Sequence, residues 1–144
     1  MEIGKDFEII ADQEKKIEAD LTAKNLDFSS DTAKILIRHL AAAQVMNWFE
    51  MNYNILFGSQ IALLRKLQDA KEGLKVEDID NHFDDVRMEN PEIFKTWNSK
   101  QYLTYLRDSG FVIFSDDRLT ITKIGLEFLK MLSNSNNHPE MKAL

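Results

Sequence analysis

The sequence predicts a mainly α-helical chain with one small β-hairpin near its C-terminal end. Apolar residues recur at three- and four-residue spacing over most of the chain, which is the period of an amphipathic helix. The 144 residues contain only two prolines and five glycines, so few irregular segments are expected. Two short β-prone runs, "FVIF" at 111–114 and "RLTIT" at 118–122, flank an "SDD" stretch of hairpin length.

Composition narrows the class of protein. Apolar residues make up 44% of the chain and charged residues 29%, which is typical of a globular domain with its own core. The absence of cysteine excludes disulfides and favours a cytoplasmic protein. The N-terminus lacks a signal-peptide pattern, and the most apolar window, 33–57, carries too many charges to span a bilayer. We therefore expect no membrane partner.

The distribution of charge matters more than its total. A net charge of −6 argues against a strongly basic, non-specific nucleic-acid binder. Residues 1–31 hold nine acidic and four basic side chains, whereas 96–132 hold five basic and four acidic ones. Interactions between exposed charges are screened beyond about 10 Å, so the second region can still attract phosphate.

Two helices are predicted in residues 1–54, the N-terminal helical region. The second of them, from about 31 to 53, is apolar on nearly every side, which indicates a helix buried on most of its surface. We expect a second subunit to cover what one small chain leaves open, forming a homodimer. The alternative is a central helix wrapped by its own chain. The first helix, 5–24, carries a thin apolar stripe formed by Phe7, Ile10, Ile17 and Leu21.

Shorter elements follow, each marked by a start or stop signal. A helical pattern restarts at 58–59, and Gly73 is its expected C′ residue. The run "LKVEDI" is long enough for a minimal strand. Asp78 or Asp80 is expected to cap the next helix, which runs to about Met88.

The C-terminal elements carry the clearest capping signals. Asn98 and Gln101 form a capping-box pair at the start of a helix, and Gly110 supplies the left-handed residue that ends it. Thr122 caps a last helix, and the polar tail 133–144 is expected to be mobile. The residues predicted to face inward on these helices are Ile61, Leu63, Leu64, Leu67, Ile79, Phe83, Val86, Tyr102, Leu103, Leu106, Ile124, Phe128, Leu129 and Leu132.

The order helix, short strand, helix, helix, β-hairpin, helix over 55–132 resembles the winged-helix (winged helix-turn-helix) superfamily. The local match lies in "YLTYLRDSGFVIFSDDRLTITKIGLEFL", residues 102–129, with leucines before a glycine stop, an apolar strand, and threonine and glycine entering an amphipathic helix. With the helices of 1–54 in front, the chain is similar to small dimeric bacterial regulators of the multiple-antibiotic-resistance type. The resemblance implies DNA-binding transcription regulation and dimerisation through the N-terminal region.

The resemblance also implies a DNA site, because the helix before the wing enters the major groove in DNA-binding members. Here that helix is 99–109, where glutamine can pair with adenine and lysine can reach guanine or phosphate. Asp116 and Asp117 at the wing tip would repel phosphates, so a winged helix used for protein contact is the rival interpretation. The implied DNA-binding residues are Lys95, Asn98, Ser99, Lys100, Gln101, Thr104, Arg107, Arg118 and Lys123.

An aromatic and methionine-rich segment of the second helix raises a ligand hypothesis. In regulators of the resembled type, a small hydrophobic effector can sit between the dimer helices and the winged domain. Core packing is the favoured explanation of the same residue types, because methionine and aromatic side chains routinely fill cores. A histidine on this helix is expected to lie in the core or in an interface, where it could also sense pH. The candidate pocket or interface residues are His39, Met46, Trp48, Phe49 and Tyr53.

Catalytic and metal chemistry find no support in the sequence. The run "DIDNHFDDVRME", 78–89, begins and ends like a calcium-binding loop, but its sixth position is Phe83 rather than glycine. We therefore predict a solvated acidic helix there. The three histidines are far apart, and no phosphate loop, dinucleotide fingerprint or nucleophile elbow occurs. No metal, no cofactor and no enzymatic activity are expected.

Overall fold

Over residues 7–134 the chain folds into seven helices and a small three-stranded antiparallel sheet, which confirms the predicted mainly α class. The computed structural model describes residues 7–134, of which 73% are helical. The helices are α1 (Glu8–Ala23), α2 (Asp31–Ile55), α3 (Gly58–Asp69), α4 (Val76–Glu89), α5 (Pro91–Phe94), α6 (Ser99–Asp108) and α7 (Lys123–Asn134). The strands are β1 (Leu74–Lys75), β2 (Val112–Ser115) and β3 (Arg118–Ile121).

The chain divides into two compact units, with the division between Ile55 and Leu56, beside the predicted boundary at 54/55. The N-terminal unit contains α1 and α2, and the C-terminal unit contains every other helix and strand. Helix α7 extends to Asn134. The rest of the predicted tail, 135–144, lies outside the described residues.

In the N-terminal unit, α1 packs along α2. Ile10 is buried, and Glu14, which interrupts the apolar stripe of α1, receives a hydrogen bond from Arg38 Nε at 3.1 Å. At the start of α2, Ser30 Oγ accepts a hydrogen bond from the backbone N–H of Ala33 at 3.1 Å, as an N-capping serine does.

Helix α2 has one covered side and one open side. The covered side includes Ile37, Ala41, Ala42, Val45 and Phe49. Large apolar residues on the remaining surface are 48–63% exposed, so the single chain does not bury this helix on most of its surface, as the alternative of a wrapped central helix requires. The open apolar residues are Ile35, Leu36, Leu40, Met51 and Ile55.

In the C-terminal unit, β3 is the central strand of the sheet, with order β1-β3-β2. Leu74 pairs with Leu119, and Val112 pairs with Ile121. Edge-to-face aromatic contacts fill the space between the helices. The Phe94 ring lies 5.8 Å from the Tyr102 ring, centroid to centroid. The residues that the helical period predicted to face inward on α3, α4, α6 and α7 are buried, except Ile124 on α7, which is half-buried.

Capping interactions begin and end α6 as the sequence predicts. Asn98 Oδ1 accepts from the Gln101 N–H, and Gln101 Oε1 accepts from the Asn98 N–H, both at 2.9 Å. At the other end, Gly110 has φ +79°, and the N–H of Phe111 donates to the Leu106 carbonyl at 3.0 Å. This is the Schellman arrangement, in which a left-handed residue ends the helix.

Two predicted capping residues have other roles. Helix α3 ends at Asp69, so Gly73 is not its C′ residue. Instead Gly73, with φ +84°, lies against β3, where a Cβ atom would be 2.6 Å from the Leu119 carbonyl oxygen. Helix α4 begins at Val76, before the expected caps, and Asp78 accepts from the Lys75 N–H at 3.2 Å from inside the first turn. Neither Asp78 nor Asp80 is the N-cap.

Two glycines are needed for different reasons, and substitution separates them. A Cβ on Gly125 would lie 2.5 Å from the Phe111 carbonyl oxygen, whereas one on Gly110 would meet no atom within 4 Å. We expect Gly125→Ala to lower the free energy of unfolding by about 1–3 kcal/mol because α7 must move. Asparagine tolerates left-handed backbone, so Gly110→Asn should lower the free energy of unfolding only slightly. Gly125→Asn should lower it at least as much as Gly125→Ala does. Urea denaturation of the four proteins measures the difference.

Candidate nucleic-acid interface

Helix α6 and strand β2 form the two walls of an open groove of about 700 Å³, called the α6–β2 groove below. Because only Ser109, Gly110 and Phe111 separate the two elements, the left-handed turn brings the last turns of α6 beside β2. The side chains that line the groove are Lys100, Thr104, Arg107 and Asp108 from α6, Val112, Ile113 and Phe114 from β2, and Thr122.

The outer face of α6 carries most of the predicted DNA-binding residues. Lys100, Gln101, Thr104 and Arg107 are exposed, and they alternate with buried residues that attach the helix to the core. Asp108 is also exposed and lines the groove. The groove therefore carries two cationic side chains and one carboxylate.

Hydrogen bonds restrict what two of these side chains can do. Gln101 Oε1 already accepts from the Asn98 N–H, which directs the side chain back toward the start of α6 and leaves one lone pair of the amide oxygen for a base. The Thr104 hydroxyl donates to the Lys100 carbonyl at 2.9 Å and keeps its lone pairs for accepting. Lys100 and Arg107 are thus the better candidates for contacts to phosphate or base.

The apolar wall of the groove was not predicted as part of the site. Ile113 is 56% exposed and Phe114 is 37% exposed, although both lie in a strand. The Arg107 guanidinium carbon lies 5.2 Å from the centre of the Phe114 ring, within range of a cation–π interaction. The only sequence signal for this wall was the fully apolar run "FVIF". A strand with one buried face alternates apolar and polar residues, so an uninterrupted apolar run indicates an apolar exposed face as well.

Other predicted residues lie away from the groove. Arg118 is half-buried, and its Nη1 donates to the Gly73 carbonyl at 3.4 Å across the sheet. It lines a second groove, with Asp116, Asp117 and residues at the start of α4, that shares no side chain with the α6–β2 groove. Lys95 lies in the turn after α5, Ser99 is half-buried at the start of α6, and Lys123 is exposed in the first turn of α7.

Behind its outer face, α6 is attached to α3 by two polar contacts. The Tyr102 hydroxyl donates to Ser59 Oγ at 2.7 Å, and Gln60 Nε2 donates to the Tyr102 carbonyl at 2.8 Å. Burial raises the pKa of Tyr102, so the phenol stays protonated and keeps donating. His82 extends this arrangement from α4 and is only 8% exposed. The prediction of a solvated helix over 78–89 missed this buried histidine.

The candidate effector residues are not equally placed in the N-terminal unit. Phe49 is fully buried, with its ring 5.4 Å from that of Trp48, as core packing requires. Met46, Trp48 and Tyr53 are half-buried. His39 is exposed, so the prediction that it lies in the core is wrong. The other alternative, that it lies in an interface between subunits, stays a prediction. Neither groove described above is lined by any of them.

Within residues 7–134, no three His, Asp or Glu side chains come together as a metal site. No helix in the same range is long and apolar enough to cross a bilayer. Comparison with protein-family models, with curated proteins and with solved structures finds no match for this chain. Any functional conclusion therefore depends on the geometry of its own residues.

Proposed function

We propose that the C-terminal unit is a winged-helix module that binds double-stranded DNA, with α6 as the reading helix and the β2–β3 hairpin as the wing. The order α3, β1, α4, α6, β2, β3, α7 supports this proposal, as does the antiparallel pairing of β1 with β3 beside the hairpin. The observation that carries it is the α6–β2 groove, where Lys100 and Arg107 stand on the outer face of a firmly attached helix.

The physical basis is electrostatic attraction with limited strength. Cationic side chains that neutralise phosphates release counterions, which makes the affinity fall steeply with salt. The protein has a net charge of −6, and Asp108 lies in the groove itself, so one module binds weakly. High affinity then requires two modules on one duplex.

The open side of α2 provides a way to join two modules, and we propose a homodimer through it. Ala43 and Gln44 lie near the middle of α2. Leu36 and Leu40 precede them in the helix, and Met51 follows them. A two-fold axis near Ala43 would place the leucines of one protomer against the methionine of its partner, as a self-complementary interface does. His39 would lie at the edge of this interface.

The module would act as a transcription regulator in the cytoplasm. A chain without cysteine has no disulfide that the reducing conditions there would break. A small apolar effector that alters the dimer would act through the half-buried Met46, Trp48 and Tyr53. The second candidate function is protein contact through the wing. The exposed Ile113 and Phe114 favour it, since apolar wing residues contribute little to phosphate binding.

The direct test is a fluorescence-anisotropy titration of the full chain against a pool of random DNA duplexes. Binding that weakens by orders of magnitude between about 50 and 200 mM salt is expected. Absence of binding at the lower salt concentration, or an affinity that salt does not change, would favour the protein-contact function.

The wing tip offers a second prediction about DNA. Asp116 and Asp117 have φ +50° and +64°, as the two central residues of a type I′ turn do, and both carry negative charge. We expect Asp116→Asn with Asp117→Gly to stabilise the chain by about 1 kcal/mol and to tighten duplex binding several-fold at low salt.

A charge-only control separates the two effects. Asp116→Asn with Asp117→Asn removes the same charges but keeps a side chain at both positions. It should match the glycine variant in DNA affinity but gain less thermal stability. Equal affinities for the wild type and both variants would show that the wing tip does not approach the duplex.

A further inference from the structure

A histidine that the proposed DNA contacts do not use lies at the junction of three helices. His82 Nε2 is 3.1 Å from the carbonyl oxygen of Ser59 on α3, the residue whose hydroxyl also receives the Tyr102 hydrogen bond from α6. Lys66 Nζ, also on α3, is 2.9 Å from His82 Nδ1. The imidazole and the Tyr102 ring are 6.2 Å apart, centroid to centroid. His82 therefore connects α4 to the attachment of α6.

The partners of His82 define its protonation state. A carbonyl oxygen can only accept, so the proton lies on Nε2, which donates to Ser59. The ammonium of Lys66 can only donate, so Nδ1 must present a lone pair. A second proton on the ring would place an N–H against the ammonium at 2.9 Å. The observed contact exists only with a neutral imidazole.

The surroundings of His82, burial above all, favour the neutral ring. Burial is the main cause that lowers the pKa of His82, and the charge of Lys66 lowers it further. The hydrogen bond to Ser59 and the carboxylates of Asp85 and Glu89, on the same helix, act in the opposite direction and are outweighed. The folded chain holds the His82 proton less well than the unfolded chain, in which the imidazole has its ordinary pKa of 6.5. The contribution of the neutral ring to folding stability is therefore fully present above pH 6.5 and is lost as the pH falls below it.

We propose that His82 is a positioning residue for α6, and that protonation of its ring loosens α6 and weakens DNA binding. The neutral ring holds Ser59 and Lys66 in place, and Ser59 holds Tyr102, whose neighbours along α6 include Lys100, Gln101 and Thr104. A charged ring must move away from Lys66 and out of its buried position. Ser59, which accepts the hydrogen bond of the Tyr102 hydroxyl, then moves as well. The effect on DNA rests on the proposed function, whereas the loosening of α6 belongs to the free protein.

Amide hydrogen exchange of the DNA-free full chain tests the first part. Protection factors, which are corrected for the intrinsic effect of pH, are compared for α6 at about pH 7.5 and about pH 5.5. We expect a fall of up to ~tenfold per pH unit, the limit for uptake of one proton, in the wild type. His82→Gln, which stays neutral, should show no fall. Unchanged α6 protection in the wild type, or the same fall in His82→Gln, would overturn the proposal.

A second variant keeps the test decisive if His82→Gln does not fold. Lys66→Met removes the neighbouring charge that lowers the pKa of His82. The pH midpoint at which α6 loses protection should then rise. A midpoint that does not change from that of the wild type would contradict a role for the Lys66–His82 contact.

DNA affinity at fixed salt tests the second part. We expect the dissociation constant to rise ~three- to tenfold from about pH 7.5 to about pH 5.5 in the wild type, but not in His82→Gln. If no duplex binds under any condition, the proposed function fails while the exchange data still decide the role of His82. If duplexes bind with an affinity that pH does not change while α6 loosens, the link to DNA is wrong.

Discussion

Replacing Lys100 and Arg107 together by alanine is expected to weaken duplex binding on the order of 100-fold and to flatten its dependence on salt. An arginine that pairs with a guanine edge contributes about 1–3 kcal/mol, and a lysine on a phosphate contributes about one to the slope of log K against log salt. Both side chains are exposed and line the α6–β2 groove. Anisotropy titrations at several salt concentrations measure the affinity and the slope.

A matched control removes the same charge from another surface. Lys15→Ala with Lys16→Ala takes two exposed cations from α1, so the net charge of the variant equals that of Lys100→Ala with Arg107→Ala. The control should bind DNA nearly as well as the wild type. Thermal melting by circular dichroism verifies that both proteins are folded. Equal affinities of the two double variants would exclude the groove as the DNA site and leave protein contact as the better function.

Leu36→Glu with Leu40→Glu is expected to convert a dimer into a monomer of 16.7 kDa. These leucines are 63% and 48% exposed in the single chain, so glutamates are tolerated there before association. In the proposed interface each carboxylate would lose its water without gaining a partner, which costs several kcal/mol per charge. Two-fold symmetry repeats that cost on the other protomer. Sedimentation equilibrium at micromolar concentration measures the mass.

The control for association uses exposed apolar residues of the C-terminal unit. Met88→Glu with Ile93→Glu adds the same charge at positions that are 79% and 41% exposed, outside the proposed interface. This variant should remain a dimer. A wild-type mass of one chain, or dissociation of the control as well, would contradict the α2 interface. In the dimer, a separation of about 34 Å between the two α6 helices would match successive major grooves.

The sequence predicted the ends of α6 well because the interactions that define them are local. Asn98 and Gln101 are three residues apart, and Gly110 acts through its own backbone angle and carbonyls one turn earlier. The buried faces of α3, α4, α6 and α7 were predictable for a related reason, since the helical period alone decides which residues share a face. The Gly73 prediction failed because its left-handed angle serves a packing contact with β3, 46 residues later.

The composition of the candidate site was only partly predictable. Lys100, Thr104 and Arg107 were predicted from their positions on one helix. Arg118 was assigned to the same site, but it bonds the carbonyl of Gly73, 45 residues away, and faces another groove. The place of Phe114 under Arg107 required two elements to pack side by side.

The sequence by itself determined the order of helices and strands, the caps of α6 and the buried faces of α3, α4, α6 and α7, because each depends on residues within a few positions of one another. The tertiary structure decided which polar side chains face the groove and which are used inside the fold. His82 is the clearest case: in sequence it belongs to an acidic helix, but its partners Ser59 and Lys66 lie 23 and 16 residues away on α3. A buried polar contact depends on how two elements meet, and no local pattern of residues encodes that.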